Sequence, residues 1–291
     1  MSLVSVVIPT YNHGHFVTEA VESALAQTYH PIEVIVVDDG SSDDTREILR
    51  CYGDRIRYVF QENKGLSAAR NTGIRVARGE WIALLDSDDI WAAEKLETQL
   101  RCLDKHPSAG LVGALNKSDA SFGPPPVPLG CVTVRVLDFL TSTPFGPSSA
   151  LIRRDVLEEV GGFDETLRSV EDRDMWLRIA VRYPALRVEW PCWYYRVSAG
   201  QMSRNAPRMY AAFRQVLEKF FRQHPGHASS SRLAYAFMYR DASWTYFEQG
   251  NRLRACALLA LSAIKHPGGI ANQRVLDRTK LAWRYLFGVA A

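Results

Sequence analysis

Acidic residues gather at three places in the 291-residue chain. Asp38-Asp39-Gly40-Ser41 follows a β-branched run, Asp86-Ser87-Asp88-Asp89 follows an apolar run, and Glu171-Asp172 opens a helical pattern. In extended backbone side chains repeat every two residues, so Asp86 and Asp88 face one point. Two carboxylates that close raise each other's pKa unless a cation lies between them. Mg²⁺ or Mn²⁺ suits such oxygen ligands, with water and substrate phosphates completing the octahedron. The competing reading is that Asp88 or Asp89 caps a helix beginning near Ile90. A position at the end of a buried apolar run favours a site.

The other candidates carry alternatives of the same kind. Asp39 either accepts hydrogen bonds from a base or ribose edge or closes an Asx-type turn before Gly40. Tyr11 either stacks on a base or is a loop tyrosine at the surface. Arg70 either aims its guanidinium at a nucleotide or diphosphate, or is solvated on its helix. Asp172 lies on the stripe shared by Trp176, Ile179 and Ala180, which turns it inward or into a cleft. There its pKa can rise into the range of a general base. Ser169 to Asp172 also has capping-box spacing. His13 and His15 read as solvated loop residues.

The elements that must position these residues alternate. Val4–Ile8, Ile32–Val37, Ile56–Phe60 and Trp81–Leu85 read as buried strands. Helical patterns follow each: Val17, Ala20, Val21, Ala24 and Leu25; a helix ending at Leu49; Leu66–Ala77; and a helix with Leu96, Leu100 and Leu103 on one face. This β-α order implies an open, mainly parallel α/β sheet with helices on both faces. Ligands of such sheets bind beyond the carboxyl ends of the strands, where Pro9-Thr10-Tyr11-Asn12, Asp39 and Asp86-Ser87-Asp88 fall. Gly123-Pro124-Pro125-Pro126 marks a loop. Cys131–Val136, Ala150–Arg153, Leu186–Trp190 and Cys192–Val197 read as strands, with helices from Asp155 and from Glu171 to Arg182. From about Pro207 the pattern is helical, with Tyr235–His266 forming two helices around Gln249-Gly250-Asn251. The expected division is 1–205 and a helical appendage over 206–291.

Hydrophobic residues make up 47% and charged residues 23%, a globular composition. A net charge of +3 is too balanced to mark a nucleic-acid binder. The five cysteines are widely spaced and form no CxxC pair, so neither a disulfide framework nor a zinc site is expected, and a reducing compartment fits. Met1–Val4 lacks a basic leader, and Ala255–Ile264 is far short of the ~20 residues of a membrane span. The expectation is a cytoplasmic protein, soluble or peripherally attached. The basic, aromatic tail from Arg278 to Phe287 is a candidate for contact with an anionic membrane surface. The loop after the first strand lacks G-x-G-x-x-G, which disfavours a dehydrogenase, and no GxxxxGK[ST], GxSxG or HExxH occurs.

Six ordered motifs resemble glycosyltransferase family 2: Val6–Asn12, Val36–Asp43, Asn63-Lys64-Gly65 through Arg70-Asn71, Leu84–Asp89, Gly161-Gly162-Phe163-Asp164-Glu165 and Glu171-Asp172. The resemblance spans roughly Ser2 to Arg204. It implies a GT-A fold, a nucleoside-diphosphate-sugar donor (a UDP-sugar favoured), a divalent metal (Mg²⁺ or Mn²⁺) and inversion at the anomeric carbon. Carried over, Pro9, Thr10, Tyr11, Asp39, Arg70, Asp86 and Ser87 contact the nucleotide. Asp88, with Asp86, holds the metal, and Asp172 is the base. The QxxRW motif and membrane spans of processive synthases are missing, which implies transfer of one sugar to a glycan or lipid-linked acceptor in surface polysaccharide or glycolipid assembly. A sugar nucleotidyltransferase and a non-catalytic nucleotide-binding module are the alternatives.

Overall fold

The first strand, β1 (Val4–Thr10), is buried along its whole length. A strand flanked on both edges and covered on both faces must be. In the computed structural model, which describes residues 1–197 and 201–266, β1 pairs in parallel with β2 (Ile32–Asp38) and β4 (Trp81–Leu84), and β2 with β3 (Arg57–Phe60). On one face Val4, Val6 and Ile8 share a core with Val17, Ala20, Val21 and Ala24 of α1 (Gly14–Leu25) and Leu49 of α2 (Thr45–Arg50). On the other face α3 (Leu66–Val76) approaches through Gly73. A methyl there would stand 2.3 Å from Val7 Cγ1 and 3.3 Å from Val37 Cγ2, so only glycine fits. Pro9 costs the sheet little: β1 pairs with β4 only as far as Val7, so the donor proline lacks has no strand to meet.

The rest of the first compact unit, Met1–Phe139 with Thr143–Val197, extends the sheet. It adds β5 (Ile90–Trp91), α4 (Lys95–Asp104), β6 (Leu111–Lys117), β7 (Cys131–Val134), the start of α5 (Val136–Thr141), β8 (Leu151–Arg153), α6 (Arg154–Val160), α7 (Glu171–Ala180) and β9 (Ala185–Tyr194). The strand order is β3-β2-β1-β4-β8-β6-β9-β5, with β7 also on β9. β8 runs antiparallel between β4 and β6, and β9 is parallel to β6. The expected open, mainly parallel sheet is present, with antiparallel strands in its second half.

Four details differ from the sequence reading. No helix begins near Ile90: Ile90 and Trp91 pair with Tyr194 and Trp193, and the helix starts at Lys95. β6 has no counterpart in the sequence pattern, because Leu111–Lys117 holds one β-branched residue and a glycine packed under the Phe145 ring. The strand expected to Val136 ends at Val134, where the Asp138 carboxylate accepts from the Arg135 N–H at 2.8 Å and starts α5. The strands expected over Leu186–Trp190 and from Cys192 are one strand that ends at Tyr194, not Val197, since shifts of register against β6 absorb Pro191. The cysteine reading also needs correction. Cys102 of α4 and Cys131 of β7 form a disulfide, a pairing that the spacing along the chain does not announce.

The second unit gathers Leu140–Ser142 with the described residues after Val197. It contains α8 (Ala206–Gln223), α9 (Ser231–Glu248) and α10 (Arg252–Lys265), the helical pattern expected there. Asn205 and Asn251 cap α8 and α10 by accepting from the N–H groups of Arg208 and Arg254. Ala206, Ala242, Tyr246, Ala255 and Leu258 form its small core. No described helix is long and apolar enough to cross a membrane. The basic, aromatic tail lies outside the described residues.

Candidate active site

Parallel strands end together, so β1, β2 and β4 bring Pro9-Thr10-Tyr11, Asp38-Asp39 and Asp86-Ser87-Asp88-Asp89 to one edge of the sheet. Asn12, in the left-handed region at φ 52°, turns the chain there. Its side chain accepts from the Ser42 N–H at 2.8 Å, and its own N–H reaches Ser41 Oγ at 2.9 Å. The loops after β1 and β2 are thereby stitched together. Tyr11 projects outward, 48% exposed, and Thr10 is buried with its hydroxyl lacking a protein partner.

The two acids after β2 divide their work. Asp38 accepts from the Ser41 N–H at 2.8 Å and from the Tyr58 hydroxyl at 2.7 Å, so the turn-closing role considered for Asp39 belongs to its neighbour. Asp39 is buried and accepts from Gln61 Nε2 at 2.6 Å, Lys64 N–H at 2.9 Å and Gly65 N–H at 2.8 Å. It fixes the loop that launches α3. Gly40, at φ +81°, lets the β2 loop pass that loop: a methyl there would lie 2.8 Å from the Asn63 nitrogen. Only glycine tolerates both the angle and the contact.

Arg70, one and a half turns into α3, is fully buried. One Nη donates to Asp86 Oδ1 and the other to Glu171 Oε1, both at 2.6 Å, and the guanidinium lies 5.3 Å from the centre of the Phe163 ring. Burial opposes its charge, but Asp86 and Glu171 outweigh that and hold Arg70 charged beyond the usual arginine range. The side chain expected to reach for a nucleotide is thus the clasp between the acid loop and α7. Asn71 makes the adjoining tie: it accepts from the Phe163 N–H and donates to the Phe163 carbonyl and to Glu165, gripping the Gly161–Glu165 motif.

Asp172 stands next to that clasp. Val170, immediately before α7, sits in the left-handed region at φ 60°, ψ 18°. For a buried β-branched residue this is strained by about 1–3 kcal/mol. The capping box does not form, because the Ser169 hydroxyl turns back to the Arg168 carbonyl. Asp172 instead accepts from the Arg173 N–H at 2.7 Å. It keeps an edge open to solvent. Its carboxyl is pushed up to about 6, first by burial and then by the charge of Glu171, against the pull of Arg173 and Arg70.

The acid loop after β4 is clear of any helix cap, since α4 begins at Lys95 with Glu94 at its cap position. Asp86 gives one oxygen to Arg70, and its other oxygen has no hydrogen bond among the described residues. Asp88 is partly exposed. Asp89 is buried, accepting from the Ser148 hydroxyl and the Arg196 N–H. Its carboxyl is held well above the usual range by burial and by the charges of Asp86 and Asp88. Ser87 is buried with its hydroxyl 2.8 Å from His13 Nδ1, so His13 is part of this edge and not a solvated loop residue. His13, Ser148 and Arg196 meet the acid loop from elements distant in the chain, and nothing local in the sequence announces those contacts. Glu171 reaches it only through Arg70.

Among the described residues no three His, Cys, Asp or Glu side chains stand as a metal cage. Mg²⁺ and Mn²⁺ do not need one when substrate phosphates supply the remaining oxygens. The residues fit such an ion. Negative charge from Asp86 and Asp88 accumulates enough to disturb Asp89, Arg70 takes only one oxygen of Asp86, and Asp88 is partly exposed.

Comparison with known proteins covers the same segments. A "Glycosyltransferase like family 2" profile matches residues 129–261. An uncharacterized glycosyltransferase of Rickettsia felis is 37% identical over 188 residues, 61% of this chain and 31% of that protein. The Escherichia coli UDP-Glc:alpha-D-GlcNAc-diphosphoundecaprenol beta-1,3-glucosyltransferase is 45% identical over 106 residues, 36% of this chain and 42% of that one. The chain spans between 27% and 58% of the length of the first curated relatives it matches. Among solved structures, a mannosyltransferase of Pyrobaculum calidifontis in complex with GDP-Man and Mn²⁺ superposes with a TM-score of 0.66 at 22% identity, covering 97% of this chain and 84% of that one. The shared architecture is the GT-A fold. The "Glycosyl transferase family 2" profile itself runs over residues 5–161, more than half of the chain and all of the acid-bearing edge from β1 to β4, and the chain belongs to that family.

Proposed function

We propose that this chain is an inverting glycosyltransferase that moves one sugar from a nucleoside-diphosphate sugar to an acceptor hydroxyl, with residues 1–205 as the catalytic segment and 206–291 as a helical appendage. The observation that carries the reading is the Asp86–Arg70–Glu171 clasp. It joins an acid loop suited to a diphosphate-bound cation to the helix bearing an elevated carboxyl. Pro9, Thr10, Tyr11, Asp39 and Ser87 line the nucleotide side, with Tyr11 available to stack on the base. Asp88 and the uncommitted oxygen of Asp86 would hold Mg²⁺ or Mn²⁺. When bound, that ion would neutralise charge on the departing diphosphate. Arg70 serves the nucleotide indirectly, by holding Asp86.

Asp172 is the base. With a carboxyl near 6 it is ionised at neutral pH yet basic enough to accept a proton. The acceptor oxygen attacks the anomeric carbon from the face opposite the leaving group. A new C–O bond forms, the bond to the diphosphate breaks with its electron pair leaving on the phosphate oxygen, and the hydroxyl proton passes to Asp172. The name of the Escherichia coli relative supports a UDP-sugar donor and a lipid-diphosphate-linked acceptor, and we place the reaction in surface polysaccharide or glycolipid assembly. The decisive test is donor turnover with Mn²⁺ across UDP-, GDP- and dTDP-sugars. Asp172→Asn should lower turnover by about 10²–10⁴-fold while leaving donor binding intact. Full turnover in that variant overturns the assignment. Pyrophosphate release from a nucleoside triphosphate and a sugar phosphate would instead establish a nucleotidyltransferase.

A further inference from the structure

The tetrad Asp86-Ser87-Asp88-Asp89 offers three carboxylates, of which the first two are partly exposed and the third is buried. Asp89 is 2% exposed and both of its oxygens are engaged. Oδ2 accepts the Ser148 hydroxyl at 2.5 Å, and Oδ1 accepts the Arg196 N–H at 3.0 Å. Ser148, fully buried, also accepts from the Asp86 N–H at 3.0 Å. One hydroxyl therefore spans both ends of the tetrad. The Asp89 N–H closes the same turn on the Asp86 carbonyl at 3.0 Å.

The hydroxyl is itself held from behind. Trp91 Nε1 donates to the Ser148 carbonyl at 2.5 Å, and Gln99 Nε2 to the Ser149 carbonyl at 2.7 Å. On the far side, Arg196 holds two successive residues of the tetrad. Its N–H meets the Asp89 carboxylate, and its Nε meets the Asp88 carbonyl at 2.9 Å. Arg196 is braced on α1 by Glu19 at 2.9 Å and by the Phe16 ring at 4.7 Å. The main chain around the Asp88 side chain is thus pinned through its own carbonyl, the Asp86 N–H and the Asp89 carboxylate.

We propose that Asp89 and Ser148 form a positioning pair that fixes the direction of Asp88 and Asp86, and that Asp89 is not itself a ligand of the cation. The inference rests on the donor-diphosphate reading above. A residue that orients ligands without touching the ion governs how strongly the ion reinforces phosphate binding, and its loss typically costs 10–100-fold in metal affinity. It has less effect on the part of nucleotide binding that needs no ion, because Pro9, Thr10, Tyr11 and Asp39 stand at the ends of β1 and β2, outside the tetrad.

The test is calorimetric titration of the whole chain with UDP, GDP or dTDP, whichever the wild type binds tightest, with and without Mn²⁺. Asp89→Asn should lose about tenfold or more of the tightening that Mn²⁺ gives the wild type. Its affinity without Mn²⁺ should stay within about twofold of the wild type, since the groups that bind the base are untouched. Ser148→Ala carries the same expectation and is read alone if Asp89→Asn does not fold. Retention of the full Mn²⁺ effect in either folded variant overturns the pairing and leaves the transferase reading standing. An equal loss with and without Mn²⁺ also overturns it, since that marks a general structural role. No tightening in the wild type overturns both the pairing and the metal-assisted reading.

Discussion

Two strand ends in this protein carry nearly the same sequence and do different work. After β2, Asp38 and Asp39 commit five hydrogen bonds to the Ser41 N–H, Tyr58, Gln61, Lys64 and Gly65. After β4, Asp86 is paired with Arg70 through one oxygen, and Asp88 remains partly open to solvent. The first pair builds the loops, while the second keeps charge available. The difference comes from the donors packed against each turn. The β2 loop lies against a neighbouring loop rich in backbone N–H donors. The β4 loop is met by the Arg70 guanidinium at Asp86 and by the Ser148 hydroxyl and the Arg196 N–H at Asp89, donors that come from three separate elements.

The largest effect expected from breaking this contrast is at the clasp. Arg70→Met leaves Asp86 and Glu171 without their buried cation and should cost about 3–5 kcal/mol of stability, together with activity. Thermal unfolding at neutral pH measures it, and a melting temperature equal to the wild type's removes the clasp from its role. Asp88→Asn should show the opposite profile, lowering Mn²⁺-dependent turnover by about a hundredfold with stability changed by no more than about 0.5 kcal/mol. Loss of stability with unchanged turnover would put Asp88 in the same class as Asp38. Asp39→Ala, at the first strand end, should cost about 1–3 kcal/mol because buried N–H groups at Lys64 and Gly65 lose their acceptor. Denaturant unfolding reads that cost, and a neutral result would show that the loop closes without the carboxylate.

The smallest effect concerns pH. Asp172 has a folded-state carboxyl near 6 against an ordinary 3.8. Its ionisation is therefore opposed by folding, and stability is lost as pH rises through about 6. Asp172→Asn should raise stability at pH 8 by about 1–2 kcal/mol, a figure reduced for the solvent-facing edge of the carboxyl. The gain should shrink below pH 6. The same group should give kcat/KM an acid limb near 6, falling about tenfold per pH unit below it. An acid limb near 4 would separate Asp172 from the proton transfer.

Much of the fold was legible from one dimension. β1 and β2 are β-branched runs and β4 a continuous apolar run, ended by proline or aspartate, β3 stands between turn signals, and the helices between them show their apolar faces at helical spacing. The C-terminal helices were legible for the same reason. β6 was not, because Leu111–Lys117 gains its strand character from its neighbours β8 and β9. The join of β9 across Pro191 was hidden because a proline normally ends a strand, and only a shifted register keeps it inside one. The Cys102–Cys131 bridge was hidden because spacing along the chain carries no information about which cysteines face each other.

The sequence by itself determined where acids stand relative to strand ends, because a parallel sheet must deliver all its carboxyl ends to one edge. It also determined that Asp172 lies on the inward stripe of a helix, which follows from 3.6 residues per turn. Only the tertiary structure decided which carboxylates are consumed and which stay available. A carboxylate's role depends on the donors that reach it, and here they come from distant elements: Arg70 from α3, Ser148 from the turn before β8, and Arg196 from beyond β9. Periodicity fixes the side of an element on which a residue lies, whereas the identity of the group that meets it there is a property of the packed chain.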